Sequence, residues 1–480
     1  MLKVNEKIGM LINNEEIQSN QSYSIKDPGR FQETVATVCS GTIENVNQAV
    51  EAAHQAFLEW ASISIGERIQ KVQESCFELE ETIPELAPLL VRENGSLLTE
   101  AQIDIGAGAG AIQNFKPIAE PYLKAQLFED KFGVVEINKV PRGVVAAIIP
   151  WNLPIALTMI KLIPALISGN TLVIKPSPYA PLTLTLALRK VAAILPPGVI
   201  NVINGDGEIG HALTTHPLVR KISFTGGTNT AGKVMAAASS TIKNLTLELG
   251  GNDPAIILDD VSMHEIMPEL LKGIFFRSGQ LCFAIKRIYV PVTLYNRFYD
   301  VFSQAVDEIK VGHGLDERST MGPVINDIQY SHLTKLINEL KQSNATVREL
   351  GKKVDATEWR SGYYILPTVI RDIDHSSEIV QKEQFGPVIP IIPYTSINQA
   401  IEMANDSPYG LGSSIWTTDL RRGTQLARQI QAGFTFINGH SIEKIHPRMP
   451  FGGIKQSGIG REFTELGLSE YVETHAIKIK

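Results

Sequence analysis

From Gly143 onward, short β-branched runs alternate with helical ones, and that alternation fixes the class of fold. The runs are Val144–Ile149, Thr171–Lys175, Val199–Ile203, Lys221–Thr225 and Leu245–Leu249. Helical patterns separate them at Ile155–Leu166, Leu182–Ala193, Glu208–Thr215 and Gly232–Ala238. A continuously apolar strand has to be covered on both faces, and a parallel neighbour needs a crossover, so repeated β-α-β predicts a doubly wound parallel sheet. After Gly250-Gly251 a second series begins, with runs at Ala255–Leu258, Ile288–Val292, Val388–Pro393, Ser413–Trp416 and Phe434–Asn438. At 480 residues the chain exceeds one ordinary core, so two such α/β domains are expected. Upstream, an amphipathic helix is expected from Ile43 with Asn45 or Thr42 as its N-cap, followed by helices over Glu67–Leu79 and Ile83–Glu93. Tyr471–Lys480 alternates like an added strand, free to pair with another element or another subunit.

Charge and cysteine usage exclude several classes of function. The net charge is −7 and no Lys/Arg-rich run occurs, which argues against nucleic acid or an anionic membrane as partner. Gly143–Ile160 carries no charge, but Pro150, Asn152 and Pro154 break it, so a strand, a turn and a helix start are expected rather than a membrane span. The opening MLKVNEKIGMLINNEEIQ has no signal-peptide layout. Three cysteines, Cys39, Cys76 and Cys282, make no disulfide framework, and a reducing, cytoplasmic setting is expected. No CxxC pair and no HxxxH spacing occur, so no metal site is expected.

Only Cys282, within Gly279-Gln280-Leu281-Cys282-Phe283-Ala284, sits where chemistry is to be sought. Glu248-Leu249-Gly250-Gly251 supplies a carboxylate at a strand end, so a thiol nucleophile and a water-activating base are both present. The plain alternative for Cys282 is an inert buried cysteine. Gly205-Asp-Gly207-Glu-Ile-Gly210 is a GxGxxG between strand and helix, without an acidic residue near 225 to hold a ribose; a simple turn explains it equally well. Phe224-Thr225-Gly226-Gly227-Thr228 also opens a helix, where small residues let a pyrophosphate reach free N–H groups. Two such turns on consecutive strands favour a dinucleotide site. Singly, Lys175 reads as a solvated lysine, Asn152 as a structural amide in a Pro-rich turn, and Glu383 as a surface acid.

Seven segments in order change this reading. PWNLP at 150–154, KPSP at 175–178, FTGGT at 224–228, ELGG at 248–251, GQLC at 279–282, EQFGPV at 383–388 and PFGGIKQSGIGRE at 450–462 together resemble the aldehyde dehydrogenase superfamily over nearly the whole chain. The resemblance implies a Rossmann-like cofactor domain, a catalytic domain and a small β oligomerisation arm. These fall at 1–118 with 142–250, at 251–449, and at 119–141 with 471–480, while 450–470 returns to the cofactor-domain side. It also implies an NAD- or NADP-dependent oxidoreductase acting on a small-molecule aldehyde, as a homodimer or homotetramer. By resemblance Cys282 is the nucleophile that forms a thiohemiacetal and then a thioester. Asn152 and the Cys282 N–H hold the oxyanion, and Glu248 activates the hydrolytic water. Lys161 and Glu462 match family positions near the proton path. Lys175 is assigned to the adenosine ribose, Trp151 and the Gly226–Gly227 turn to the pyrophosphate, Glu383 to the nicotinamide ribose and Phe385 to the nicotinamide. Ile149, Gly210 and Leu249 complete the cofactor set.

Three departures qualify the resemblance. Pro178 replaces a frequent Glu that repels a 2′-phosphate, so NAD and NADP both stay open. Gly227 replaces a common Ser. Leu153, Leu157, Ile160, Leu281, Phe283 and Ile445 fall where the family lines its substrate tunnel, and all are apolar, so an aliphatic or aromatic aldehyde is expected. His446 and Arg448 lie near that loop and offer a carboxylate anchor, which keeps a semialdehyde as the alternative. A CoA-acylating relative is the second rival, disfavoured by Glu248, and a catalytically silent member the third, disfavoured by the complete Cys282, Glu248 and Asn152 set.

Overall fold

The computed structural model describes residues 7–479; the first six residues of the opening segment and Lys480 of the terminal strand lie outside the described residues. Five parallel strands form the centre of the first sheet. Their spatial order is Asn244–Glu248, Val219–Thr225, Val144–Ile148, Thr171–Lys175, Ile200–Val202. In chain order this is 5-4-1-2-3, so the connections change direction between Val144–Ile148 and Val219–Thr225. A crevice opens at the carboxyl ends of strands at such a point. Gly458–Ile459 adds antiparallel at one edge, which carries the 450–470 segment back to this sheet. Met10–Ile12 adds at the other.

Six parallel strands form the body of the second sheet, Thr368–Arg371, Val388–Tyr394, Ile285–Pro291, Asp253–Ile257, Ser414–Trp416 and Phe436–Ile437 in that spatial order, and Thr346–Glu349 adds antiparallel beside Thr368–Arg371. Both sheets are buried on both faces. Val145 and Ala147 pack on one side of their strand and Val144 and Ala146 on the other. Ala255 and Ile257 face Phe298 and Phe302, while Ile256 faces Leu333 and Ile337. This period-2 division of an unbroken apolar run is the reason the strands are legible as β-branched runs without alternation.

A third, antiparallel sheet joins Gln126–Asp130, Gly133–Pro141 and Val472–Ile479, with Val472 opposite Pro141 and Ile479 opposite Val134. The helix Ile112–Leu123 runs through position 119, so the expected arm boundary is corrected: helix packing by Phe115, Ala119 and Leu123 persists to Leu123 before the first arm strand. Thr42, rather than Asn45, caps the helix Ile43–Ser62; Asn45 returns the hydrogen bond as the other half of a capping box. The uncharged Gly143–Ile160 stretch resolves into the strand Val144–Ile148, a turn and the start of the helix Pro154–Ile167. Among the described residues no helix is long and apolar enough to cross a membrane.

Candidate active site

Cys282 follows a contorted segment. Arg277, Ser278 and Gly279 all have positive φ, at 55°, 56° and 71°. Non-glycine residues hold that conformation only where the surroundings over-determine it, at about 1–3 kcal/mol each. Here they do. The Arg277 N–H donates to Glu100 Oε1 at 2.7 Å and its guanidinium to the Asn152 carbonyl at 3.0 Å. Ser278 Oγ donates to the Gly322 carbonyl, and the Ile325 N–H donates to Gln280 Oε1. The Asn152 amide donates to the Gln280 carbonyl at 3.1 Å, which locks the Pro150–Pro154 turn onto the nucleophile loop. An amide NH2 has two donors, so one remains for an oxyanion.

Cys282 keeps a partly open face to a cavity, yet protein surrounds its sulfur. Burial pushes the thiol well above its usual range, and the carboxyls of Glu248, Glu383 and Asp253 push the same way. The resting sulfur therefore carries its proton and needs a base. Glu248 ends its strand beside Thr225 and is buried, with no hydrogen-bond partner for either carboxylate oxygen. Burial first, and then the Glu462 charge, hold its carboxyl well above the ordinary range. Lys161 and Glu462 form a buried ion pair next to it. The structure thus gathers Cys282, Asn152, Glu248, Lys161 and Glu462 in one place.

Two cavities flank the 150–154 turn, with Pro150 and Trp151 in one and Leu153 in the other. The larger, of about 500 Å³, opens at the crevice of the first sheet and is lined by Ile149, Trp151, Lys175, Gly210, Gly226 and Gly227, with Pro178 at its edge. The helix Thr228–Ala238 begins in this cavity without any side-chain cap, so its first N–H groups are free for an anion. Lys175 is buried, which lowers its ammonium to about 8, with Asp206 opposing that shift. Trp151 meets Phe385 edge-on at 5.5 Å. Glu383 Oε1 accepts from the Gly251 N–H at 3.1 Å, and a Cβ on Gly250 would stand 2.2 Å from Glu383 Oε2. Leu249 is buried and outside the cavity lining; its N–H donates to the Ser457 carbonyl.

The second cavity, of about 260 Å³, ends on Cys282 and is walled by all six apolar positions Leu153, Leu157, Ile160, Leu281, Phe283 and Ile445. His446 and Arg448 are exposed and do not line it. The charged residue that does is Asp104, absent from the sequence reading. Its carboxylate accepts from the Ile155 and Ala156 N–H groups at the start of the helix Pro154–Ile167, and burial pushes it up to about 7.

The aldehyde dehydrogenase family model matches residues 16–477. A mitochondrial succinate-semialdehyde dehydrogenase of Arabidopsis thaliana is 35% identical over 460 residues, spanning 95% of this chain and 85% of that protein. Betaine aldehyde dehydrogenase from Staphylococcus aureus, solved in complex with NAD+, has a TM-score of 0.92 at 33% identity, covering 98% of this chain and 94% of its own. The NAD+ complex of a Bacillus cereus aldehyde dehydrogenase also has a TM-score of 0.92 at 33% identity, covering 99% and 97%. The chain belongs to the aldehyde dehydrogenase family. It is an α/β, NAD(P)-dependent oxidoreductase of aldehydes.

Measured against aldehyde dehydrogenase chemistry, the sequence reading passes over two groups. Ile103, Ala107, Ala111 and Asn114 add to the tunnel wall; their spacing of three to four residues continues from the helix Leu98–Gly110 into Ile112–Leu123, and its first three positions are visible in principle as an apolar stripe. Asp206, which caps the helix Gly207–Thr215, lines the larger cavity beside Lys175. An acid near 225 is indeed missing, but the fold brings this one from the GxGxxG turn.

Proposed function

We propose that the enzyme oxidises a neutral aliphatic or aromatic aldehyde to its carboxylic acid, with Cys282 as nucleophile. The observation that carries this is the tunnel ending on Cys282, whose walls are apolar and whose charged residue is an acid, Asp104. That lining disfavours a substrate carboxylate. With His446 and Arg448 outside it, no cation among the described residues lines the tunnel to anchor a semialdehyde.

The residues fit a dinucleotide: an uncapped helix end for the pyrophosphate, Lys175 and Asp206 for the adenosine ribose, and Glu383 for the second ribose. When bound, NAD or NADP supplies the hydride acceptor. Cys282 attacks the carbonyl once its proton has passed to Glu248, the carboxylate beside it. The oxyanion of the thiohemiacetal is held by the free N–H of Asn152 and the Cys282 N–H. Hydride loss to the bound dinucleotide gives the thioester; Glu248 passes the thiol proton on toward the Lys161–Glu462 pair and, again a carboxylate, takes a proton from the attacking water. A carboxylate at this position supports hydrolysis rather than transfer to CoA.

Asp206 supports NAD over NADP, because an acid at the ribose end of the cavity repels a 2′-phosphate. The two α/β sheets serve as cofactor and catalytic domains, and the three-stranded sheet as an arm for a second copy. Free Cys39, Cys76 and Cys282 support a reducing compartment such as the cytoplasm. The test is steady-state reduction of NAD and NADP with propanal, hexanal, benzaldehyde and succinic semialdehyde. Turnover of the neutral aldehydes with NAD is expected. Turnover confined to succinic semialdehyde would replace this reading with a carboxylate-specific one.

A further inference from the structure

We propose that Lys286 is a positioning residue that ties the nucleophile loop to the loop carrying Glu383 and Phe385. The proposal rests on the roles of Cys282 and Glu383 given above. Lys286 lies at the start of the strand Ile285–Pro291 and is only 1% exposed. Its ammonium donates to two carbonyls, those of Gly279 and Gly386, the latter at 3.0 Å. Gly279 belongs to the contorted segment before Cys282, and Gly386 follows Phe385 directly. The loops touch at this point: a Cβ on Gly279 would lie 2.4 Å from the Gly386 carbonyl oxygen and 3.1 Å from Lys286 Nζ. One ammonium thus bridges the two segments whose separation sets the distance from sulfur to nicotinamide site.

The chemistry of the group points the same way. Among the described residues no carboxylate is in ion-pair contact with Lys286; its ammonium donates to neutral carbonyls, and burial lowers it to about 8, with the Glu383 and Asp253 charges opposing that shift. Burying such a charge is unfavourable, and a methionine of similar length would fill the space without that penalty. What the charge adds is a field at the site. Glu383 is faced by Lys286 and by Asp253, receives the Gly251 N–H, and lies near Cys282 and Tyr409. Burial pushes Glu383 up to about 8, and Lys286 is the largest influence that opposes this. Removing the ammonium therefore moves Glu383 further upward and frees both loops at once.

The test uses the full-length enzyme and the variants Lys286→Met and Lys286→Gln. Three quantities are read: iodoacetamide alkylation of Cys282 without nucleotide, followed on its peptide by mass spectrometry; NAD+ affinity by titration from pH 6.5 to 9.5; and melting temperature. Lys286→Met is expected to slow alkylation and weaken NAD+ binding about tenfold each, the size of one lost charge-assisted contact. The pH at which NAD+ affinity rises should move upward. Lys286→Gln keeps a donor without the charge, so it should recover alkylation but not the pH shift. Unchanged alkylation, affinity and pH dependence, with only a lower melting temperature, would reduce Lys286 to a structural residue and overturn the proposal. Should the methionine variant fail to fold, the pH shift in Lys286→Gln decides alone. If alkylating Cys282 in the unmodified chain leaves turnover intact, the nucleophile reading itself fails, an outcome distinct from the others.

Discussion

Glu248 shows what a catalytic base does to the fold around it. Both its oxygens are buried without a partner, and its proton is held far more tightly than in an unfolded chain. A carboxyl whose pKa is raised on folding favours the folded state below the unfolded value of about 4.3, and that contribution is lost as pH rises toward the folded value. Above the ordinary carboxylate range the residue is a burden. Glu248→Gln removes that titration and should therefore flatten the fall of melting temperature with rising pH. The same variant should show a burst of reduced cofactor followed by slow turnover, because thioester hydrolysis loses its base. Stopped-flow absorbance and thermal melts check the two effects; lower stability with no burst would separate Glu248 from the mechanism. In the intact enzyme, kcat should rise as pH is raised, since Glu248 and Cys282 are both shifted upward and both act deprotonated. In the sequence, Glu248 was identifiable by its place in ELGG, whereas its isolation was not, because partners come from elements hundreds of positions away.

Loops between elements place the chemistry, and their glycines show how tightly. Gly250 is needed for contact rather than conformation: a Cβ there would stand 2.2 Å from the Glu383 carboxylate. Gly250→Ala should displace Glu383 and raise the cofactor KM by about tenfold or more, while the Cys282 alkylation rate changes little. An unaltered cofactor KM would mean that Glu383 does not hold the nucleotide. Strands were legible at this scale because they are buried on both faces, and Thr171–Lys175 and the helix Leu182–Ala193 stand where the runs place them. Pro268 interrupts the helical pattern of Met263–Phe275 in sequence, although Met263, Met267, Leu270 and Ile274 keep a buried helical spacing. The hairpin of Ser22–Asp27 and Arg30–Cys39 went unread because bulges break its alternation.

The arm is the part of the molecule that a single chain leaves unsatisfied. Phe132 is 73% exposed, Leu127 65% and Phe128 55%, on a sheet only three strands wide. Clustered exposed apolar side chains of this kind mark an interaction surface. Phe128→Ser combined with Phe132→Ser tests whether this sheet holds a second copy: a lower mass in light scattering, with unaltered melting of the two α/β sheets, is expected, and an unchanged mass would show that no copy docks on it. Substrate selection also belongs to this scale. The tunnel wall is assembled from the helices Leu98–Gly110 and Ile112–Leu123, the start of the helix Pro154–Ile167, the nucleophile loop and the segment 442–463, which the chain order does not bring together.

The order of strands and helices, the two-sided burial of both sheets, and the candidate nucleophile and base followed from sequence alone, because apolar runs and short motifs are local. Which elements become neighbours did not. Asp104 faces the tunnel only because it caps a helix some fifty positions later; Asp206 reaches the cofactor cavity only because its strand pairs beside the one that ends in Lys175; His446 and Arg448 are excluded only because their loop turns outward. Lys286 shows the same limit: the sequence sets it four positions after Cys282, but only folding brings the Gly386 carbonyl to the other side of its ammonium. Local pattern determines what each segment becomes, whereas charge, burial and distance depend on contacts between segments that the chain order does not encode.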